Sequence, residues 1–218
     1  NLKNVSPGAQ LSELDTGNVV LGNLSSGIAL DKRDYALNPS SGYVVNLDST
    51  LASESLLSDA NYGGLNFRGT HYTPLSSRWT WLTGFQAAKK WTFSGTDFVP
   101  ISQRYYLGGR GTVRGYNENS LGPRGEDGSV IGGEELLRGN FELQYRIYDD
   151  LAVLGFYDIG RVRLPGLKSE FDDFQSGVGL GFRYLSPIGP IGLDFGHGLD
   201  NVPGSRTLRV TFEIGVAF

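Results

Sequence analysis

The chain has 218 residues, of which 39% are hydrophobic and 19% are charged, and its formal net charge is −4. Its length suits one domain, its acidic balance argues against a nucleic-acid partner, and its lack of cysteine excludes disulfides and thiolate metal sites. No apolar run approaches the roughly 18 residues of a transmembrane helix. Glycine contributes 32 residues, about twice its usual share, which favours strands that bend or pack closely.

Period-two alternation of apolar and polar residues predicts about nine β-strands, and no segment has a helical period. We expect an N-terminal tail over residues 1–17 and a barrel region over residues 18–218. The alternation is weakest in the first and sixth strands. In chain order the predicted strands are Asn18–Leu30, Tyr43–Leu51, Tyr62–Thr73, Trp79–Ala87, Phe141–Tyr148, Leu151–Val162, Val178–Tyr184, Ile191–Gly196 and Leu208–Phe218.

The polar face of these strands carries charges in mid-strand, among them Glu142, Arg146, Arg183 and Asp194. A soluble sandwich would solvate this face, whereas a membrane barrel turns it to a wet lumen and its apolar face to lipid. Most of the predicted strands are long enough for the roughly 9–11 residues that cross a bilayer. The sequence therefore favours an all-β fold, a transmembrane antiparallel β-barrel, with a soluble β-sandwich as the alternative.

The connections and the aromatic residues support the membrane interpretation. Tight turns at Pro74–Ser77 and Tyr148–Leu151 contrast with longer segments at Ser53–Ala60 and Leu164–Asp173. Short turns on one side and long loops on the other are typical of outer-membrane barrels. Aromatic side chains that suit the membrane interface lie near strand ends, at Tyr43, Trp79, Trp91, Tyr148 and Tyr184.

The longest predicted connection lies between residues 92 and 134 and is rich in glycine. A loop of this length is usually functional or disordered, and disordered loops are polar throughout. This one includes Tyr105, Tyr106, Leu107, Val113, Tyr116 and Leu121. We therefore expect it to pack inside the barrel lumen. An arginine entering a desolvated lumen needs acidic partners, and strand phase places Glu142 and Asp158 on the lumen face.

Within this loop, residues 107–116 read Leu-Gly-Gly-Arg-Gly-Thr-Val-Arg-Gly-Tyr. The segment resembles the lumen-inserted loop of the BamA/TamA superfamily of outer-membrane assembly factors, which also includes two-partner-secretion transporters and the chloroplast import channel. Further resemblances follow in the same order along the chain, at Asp31–Asp34 with Pro39 and Gly42, Gly139–Glu142, Phe156–Gly160, Ser186–Phe195 and the terminal Phe218.

The resemblance implies particular site residues. It implies that Arg114 bridges to the acidic residues Glu142 and Asp158, and that Phe156 and Gly160 form a strand motif. The loop motif comprises Gly108, Gly109, Val113, Arg114, Gly115 and Tyr116. The alternating C-terminal ending resembles a signal for barrel insertion, with an ordinary lipid-facing role as the equal alternative. Its residues are Phe212, Ile214, Gly215, Val216 and Phe218.

The function implied by the resemblance is non-enzymatic assembly, insertion or translocation of proteins, in an integral protein of the outer membrane of a Gram-negative bacterium. The partners would be the lipid bilayer and unfolded or nascent client proteins. Work would come from a labile seam involving Leu208–Phe218, where Gly215 is expected to weaken pairing. The alternatives are a dedicated secretion pore (in two-partner secretion or fused to a surface enzyme) and a passive porin or structural barrel.

No catalytic residue, metal ligand or cofactor is expected. His71 and His197 lack metal-ligand spacing, and Glu134 and Glu135 are interpreted as solvated loop charges.

Family barrels usually have 16 strands, so this chain resembles the C-terminal half. An open half-sheet in lipid would leave backbone groups unpaired. Three interpretations stay open: a piece of a longer protein with its N-terminal half missing, a chain that pairs with a second copy, or an eight-stranded barrel with Asn18–Leu30 as an accessory.

Overall fold

In a computed structural model, residues 13–15, 18–166, 173–186, 189–202 and 208–214 are described. These ranges contain short 3-10 helices at Glu13–Asp15, Glu54–Leu56 and Ile101–Gln103. They also contain nine strands: β1 (Asn23–Asp31), β2 (Gly42–Ala52), β3 (Tyr62–Pro74), β4 (Trp79–Thr92), β5 (Glu135–Tyr148), β6 (Leu151–Arg163), β7 (Gln175–Ser186), β8 (Gly189–Gly198) and β9 (Arg209–Ile214). None of the helices in these ranges is long and apolar enough to cross a membrane.

The strands form one antiparallel meander in which each strand pairs with the next along the chain, from β1 to β9. The ladder runs without interruption except for a register shift between Arg146 and Tyr148. This confirms the predicted fold class and strand number. Within the described ranges β1 and β9 each have one neighbour, so the sheet is open. An open sheet favours half of a larger barrel over a barrel that this chain closes alone.

The strand limits differ from prediction at the two ends of the sheet and beside the long loop, where β4 extends to Thr92 rather than Ala87 and β5 begins at Glu135 rather than Phe141. β1 begins at Asn23 rather than at residue 18, because the preceding residues turn towards the β2–β3 loop. There the Val20 amide donates to Asp59 Oδ2 at 2.7 Å, and the Asp59 amide donates to the Val20 carbonyl at 2.8 Å. β9 is described as far as Ile214, and the predicted strand residues 215–218 lie outside the described ranges.

Alternation along each strand places polar side chains inside and apolar ones outside. In β4, Leu82 and Gln86 are buried on the inner face, whereas Trp81 and Phe85 are exposed on the outer face. In β5, Glu142 is fully buried on the inner face. Aromatic rings pair across strands on the outer face, as in Phe141–Tyr157 and Trp79–Tyr145. This arrangement is opposite to that of a soluble sandwich and confirms a membrane barrel wall.

The two ends of the sheet differ in their connections. One end, here called the turn rim, carries the tight connections 75–78 and 149–150. The other end, the loop rim, carries the longer connections 53–61 and 93–134. Long loops of outer-membrane barrels face the outside of the cell, so the loop rim is the extracellular end. The buried apolar core lies at this end, inside the lumen.

A depth-dependent effect of charge on the outer face tests this arrangement. Leu180, in the middle of β7, is 66% exposed. We expect Leu180→Arg to destabilise the folded barrel in lipid vesicles by about 2–4 kcal/mol, because it places a charge at mid-membrane depth. The matched variant Tyr184→Arg, near the turn rim, is expected to cost about 0–1 kcal/mol. Equal losses in reversible denaturant unfolding would contradict the membrane orientation.

Candidate functional site

The loop 93–134 returns into the barrel and packs against the inner wall. Leu107, Val113 and Tyr116 from the loop form a buried cluster with Leu136 of β5 and Val162 of β6. The loop therefore fills the lumen next to the loop rim, as the sequence predicted. The strand-motif residue Gly160 lies directly beneath this cluster, where an added Cβ would come within 2.9 Å of the Leu107 side chain.

A tight turn presents the loop arginine to the wall. The Gly109 amide donates to the Val113 carbonyl at 3.1 Å, and the Gly108 amide donates to Thr112 Oγ1 at 2.9 Å. Gly115 then has a φ of +99°, and an added Cβ would lie 2.5 Å from the backbone nitrogen of Gly198. Only glycine combines this backbone conformation with such a close approach to β8.

The structure brings Arg114, Asp158 and Glu142 together in the lumen. Arg114 Nε and Nη2 donate to the two carboxylate oxygens of Asp158 at 2.7 and 2.8 Å, and the Arg114 amide adds a third bond at 3.0 Å. Arg114 Nη1 lies 2.7 Å from Glu142 Oε1. Glu142 and Asp158 are completely buried. One guanidinium thus forms a bidentate hydrogen-bonded pair with Asp158 and an ion pair with Glu142.

A third carboxylate joins the same arginine, although the sequence did not assign it this role. Arg114 Nη1 lies 3.3 Å from Asp194 Oδ2 of β8, and Asp194 also accepts bonds from Arg183 of β7 at 2.6 and 3.0 Å. The guanidinium carbon stands 3.6 Å from the centre of the Phe156 ring, which gives the strand-motif phenylalanine a cation–π contact. The cluster therefore joins β5, β6, β7 and β8 through one loop residue.

Electrostatics keep the arginine charged in this buried site. Burial alone would lower the pKa of Arg114, but Glu142, Asp158 and Asp194 outweigh burial and raise the pKa above its ordinary value. Three carboxylates face two guanidinium groups, Arg114 and Arg183, so removal of either arginine leaves buried negative charge without compensation. Losing one partner of a buried pair in this way is strongly destabilising.

Neighbouring loop residues are held to the wall by polar contacts of their own. Asn140 Nδ2 donates to the Thr112 carbonyl at 2.9 Å and to Asp158 at 3.0 Å. Tyr116 donates from its hydroxyl to the Ser176 carbonyl at 2.9 Å and accepts from the Asp200 amide at 2.9 Å. Each predicted loop-motif residue is therefore part of the packed turn or of its contacts with the strands.

A second buried ion pair lies at the base of the loop. Arg104 Nη2 contacts Asp15 Oδ2 at 2.9 Å, and both side chains are completely buried. The Ile101 amide also donates to Asp15 at 2.8 Å. Part of the predicted N-terminal tail is thus fixed to the loop, while residues 1–12 and 16–17 lie outside the described ranges. The pairing was not evident from the sequence, because 89 positions separate the two residues.

The prediction that Glu134 is a solvated loop charge is wrong. Its carboxylate accepts a bond from the Val99 amide at 2.7 Å, and the residue is 6% exposed because the loop folds over it. Glu135 is the first residue of β5 rather than a loop residue, and its carboxylate contacts Lys89 at 2.7 Å.

The C-terminal signal residues lie apart from the Arg114 cluster. Phe212 and Ile214 are exposed on the outer face of β9. Gly215, Val216 and Phe218 lie outside the described ranges, so their role stays a prediction. Among the described residues, no group of His, Cys, Asp and Glu side chains is arranged to hold a metal ion.

A profile of the Omp85 superfamily domain matches residues 2–218. The chain belongs to the Omp85 superfamily. The outer membrane protein assembly factor BamA of Neisseria meningitidis is 25% identical over 229 residues, a match that covers 88% of this chain and 28% of the relative. BamA of Nitratidesulfovibrio vulgaris is 34% identical over 111 residues, covering 49% of this chain and 14% of the relative.

Similarity extends to eukaryotes and to a solved barrel. Sorting and assembly machinery component 50 homolog A of Xenopus laevis is 28% identical, with 59% of this chain and 27% of the relative covered. The crystal structure of BamA from Haemophilus ducreyi lacking POTRA domains 1–3 superposes with a TM-score of 0.77 at 25% identity, covering 88% of this chain and 42% of that chain.

The chain thus spans between 14% and 28% of the length of these three curated relatives. The comparisons confirm the predicted family, a BamA-type C-terminal barrel half, and an integral outer-membrane location.

Loss of the loop arginine is expected to destabilise this Omp85 barrel. In the full-length protein, Arg114→Ala should lower the free energy of unfolding by about 3–5 kcal/mol, because Glu142 and Asp158 stay buried without their cation. The temperature at which heat-modifiable gel migration is lost measures the effect.

The matched control is Arg110→Ala, which removes an exposed arginine four residues away in the same loop. This control removes one exposed hydrogen bond, to the Phe212 carbonyl, so it should change the unfolding free energy by no more than about 1.5 kcal/mol. If Arg114→Ala and Arg110→Ala melt at the same temperature as the wild type, the buried cluster is not a stabilising element.

Proposed function

We propose that this chain forms the C-terminal part of a non-enzymatic barrel that assembles client β-barrel proteins in the outer membrane. The observation that carries the proposal is the match to the Omp85 superfamily domain, and we assign client pairing to the outer edge of β9, whose described neighbour is β8 alone. Backbone N–H and C=O groups on such an edge have no water to bind in lipid. They are therefore a template on which another strand pairs by β-augmentation.

The lumen loop reaches this edge. Arg110 Nη1 donates to the main-chain carbonyl of Phe212 at 3.3 Å. A side chain from the loop thus occupies a carbonyl that an incoming strand would use. Arg114 follows Arg110 in the same loop. One loop segment therefore contacts both the edge of β9 and the buried carboxylates.

The C-terminal strands depend on the loop for their shape. The inner faces of β7 and β8 carry many glycines: Gly177, Gly179, Gly181, Gly192, Gly196 and Gly198. Glycine within strands weakens them and permits bending. The loop backbone lies against this surface, and an added Cβ at Gly177 would overlap the Arg114 carbonyl. We infer that the loop braces β5–β8 and leaves β9 as the deformable strand.

The relatives support outer-membrane proteins as the clients. Two are named outer membrane protein assembly factor BamA, and a third is named as a component of a sorting and assembly machinery. The partners that we propose are the bilayer, unfolded clients, and further strands that pair with β1 and β9. Those strands come from the rest of the same protein or from a second copy.

Site-specific crosslinking tests the proposed edge. The chain has no natural cysteine, so a single introduced cysteine reports one position. In cells with the full-length protein, we expect Val210→Cys in β9 to form a disulfide with a client that carries a cysteine in its final strand. The control is Leu143→Cys, also apolar and outward-facing, but on β5, which is paired on both sides. Equal crosslinking at both positions, or none at Val210→Cys, contradicts the proposal.

Arg110 should limit access to the edge. Adding Arg110→Ala to Val210→Cys removes one hydrogen bond from the Phe212 carbonyl. A bond worth about 0.5–1.5 kcal/mol corresponds to a roughly two- to tenfold increase in crosslinking rate. A rate that is unchanged or reduced would mean that Arg110 does not compete with clients for this edge.

A further inference from the structure

Charges on the outer face of the barrel are confined to one place. In the described strands, the outward-facing Asp, Glu, Lys and Arg residues all lie on β4, β5 and β6 near the loop rim. They are Lys89, Glu135, Arg161 and Arg163. Charges on a lipid-facing surface cost least near the membrane interface, which is where these residues lie. Their concentration on three adjacent strands therefore calls for a specific role.

The strand register places Lys89, Glu135 and Arg163 side by side in one row across three strands, and Arg161 in the adjacent row. Lys89 pairs with Glu135, and Glu135 pairs with Arg163 across the next ladder. Arg161 lies two residues from Arg163 on the same face of β6, about 7 Å further along the strand. Glu135 is the one carboxylate among these four residues, and its ion pair with Lys89 at 2.7 Å neutralises its charge. Arg161 and Arg163 leave this surface with an excess of positive charge.

An apolar groove of about 380 Å³ adjoins the charged rows. Its walls come from β2, β3 and β5, at Leu47, Leu65, Phe67 and Leu137. Ala87 lies between Phe67 and Leu137 in the sheet register. Because Ala87 is so much smaller than its neighbours, it leaves the recess between them. The groove suits a flexible apolar chain that lies along the barrel wall.

We propose that this surface is a binding site for an acylated lipid that carries phosphate in the outer leaflet of the membrane. One acyl chain lies in the groove over Ala87, and the phosphate is held by Arg161 and Arg163 with Lys89 beside it. Guanidinium groups bind phosphate through paired, charge-assisted hydrogen bonds. The position of the site in the membrane fits this ligand, because the loop rim lies at the level of the lipid headgroups of the outer leaflet.

The site lies on the three central strands of the sheet, away from β9. Strands β4, β5 and β6 are paired on both sides, and two of them carry Glu142 and Asp158, which hold the loop. A lipid bound there is attached to the braced part of the barrel rather than to its edge. The proposal rests on the membrane orientation of the strands and is independent of client assembly.

Native mass spectrometry of the full-length protein tests the site. The protein is reconstituted in phosphatidylcholine nanodiscs that contain lipid A or its dephosphorylated form, and retained glycolipid is counted. We expect lipid A to be retained in preference to the dephosphorylated form. The double variant Arg161→Gln and Arg163→Gln should reduce its retention at least about tenfold, since the loss of even one charge-assisted contact has this effect.

Two further variants test whether lipid A retention depends on the shape of the groove and on the position of the charges. Ala87→Leu fills the recess but keeps the surface apolar, and it should also reduce lipid A retention. Lys32→Gln with Arg78→Gln removes two exposed charges near the turn rim and should leave retention unchanged. Heat-modifiable migration confirms that each variant is folded. Equal retention of both glycolipids, or wild-type retention by the Arg161→Gln and Arg163→Gln variant, overturns the proposal.

Discussion

An arginine inside a membrane barrel must find its counter-charges in the protein, and the rest of this structure depends on how Arg114 finds them. Its guanidinium meets carboxylates from β5, β6 and β8 at 2.7–3.3 Å. Glu142 and Asp158 depend on the arginine in turn, since among the described residues it is the cation at ion-pair distance from each of them. The consequence is mutual: the strands position the loop, and the loop fixes the spacing and curvature of the strands.

The loop and the sheet are complementary in volume as well as in charge. Where β5 and β6 present large and polar side chains to the lumen, β7 and β8 present mainly glycine. At Gly177 and Gly196 the space left by the absent side chains is occupied by the backbone around Arg114 and Gly115, and at Gly198 it is occupied by the Tyr116 ring. This division makes the C-terminal strands thin and bendable on their own, so their rigidity comes from the inserted loop.

Much of the architecture was predictable because period-two alternation reports which side of a strand each residue faces. Alternation placed Glu142 and Asp158 in the lumen, and the loop resemblance supplied Arg114 as their partner. Asp194 has the same phase but was not matched to Arg114, because alternation gives the face of a residue and not its neighbours across the lumen. The Asp15–Arg104 pair and the burial of Glu134 depend on how loops cover the rim, which no local pattern encodes.

The chain order of the strands has a kinetic consequence. Every strand pairs with its immediate neighbour in sequence, so, except across the long connection 93–134, each pairing closes a short loop with little loss of chain entropy. The contacts of Arg114 with Asp158 and Asp194 join residues 44 and 80 positions apart. Such contacts form only after β5, β6 and β8 are in register. Loop insertion through Arg114 therefore requires that β5 to β8 have already paired.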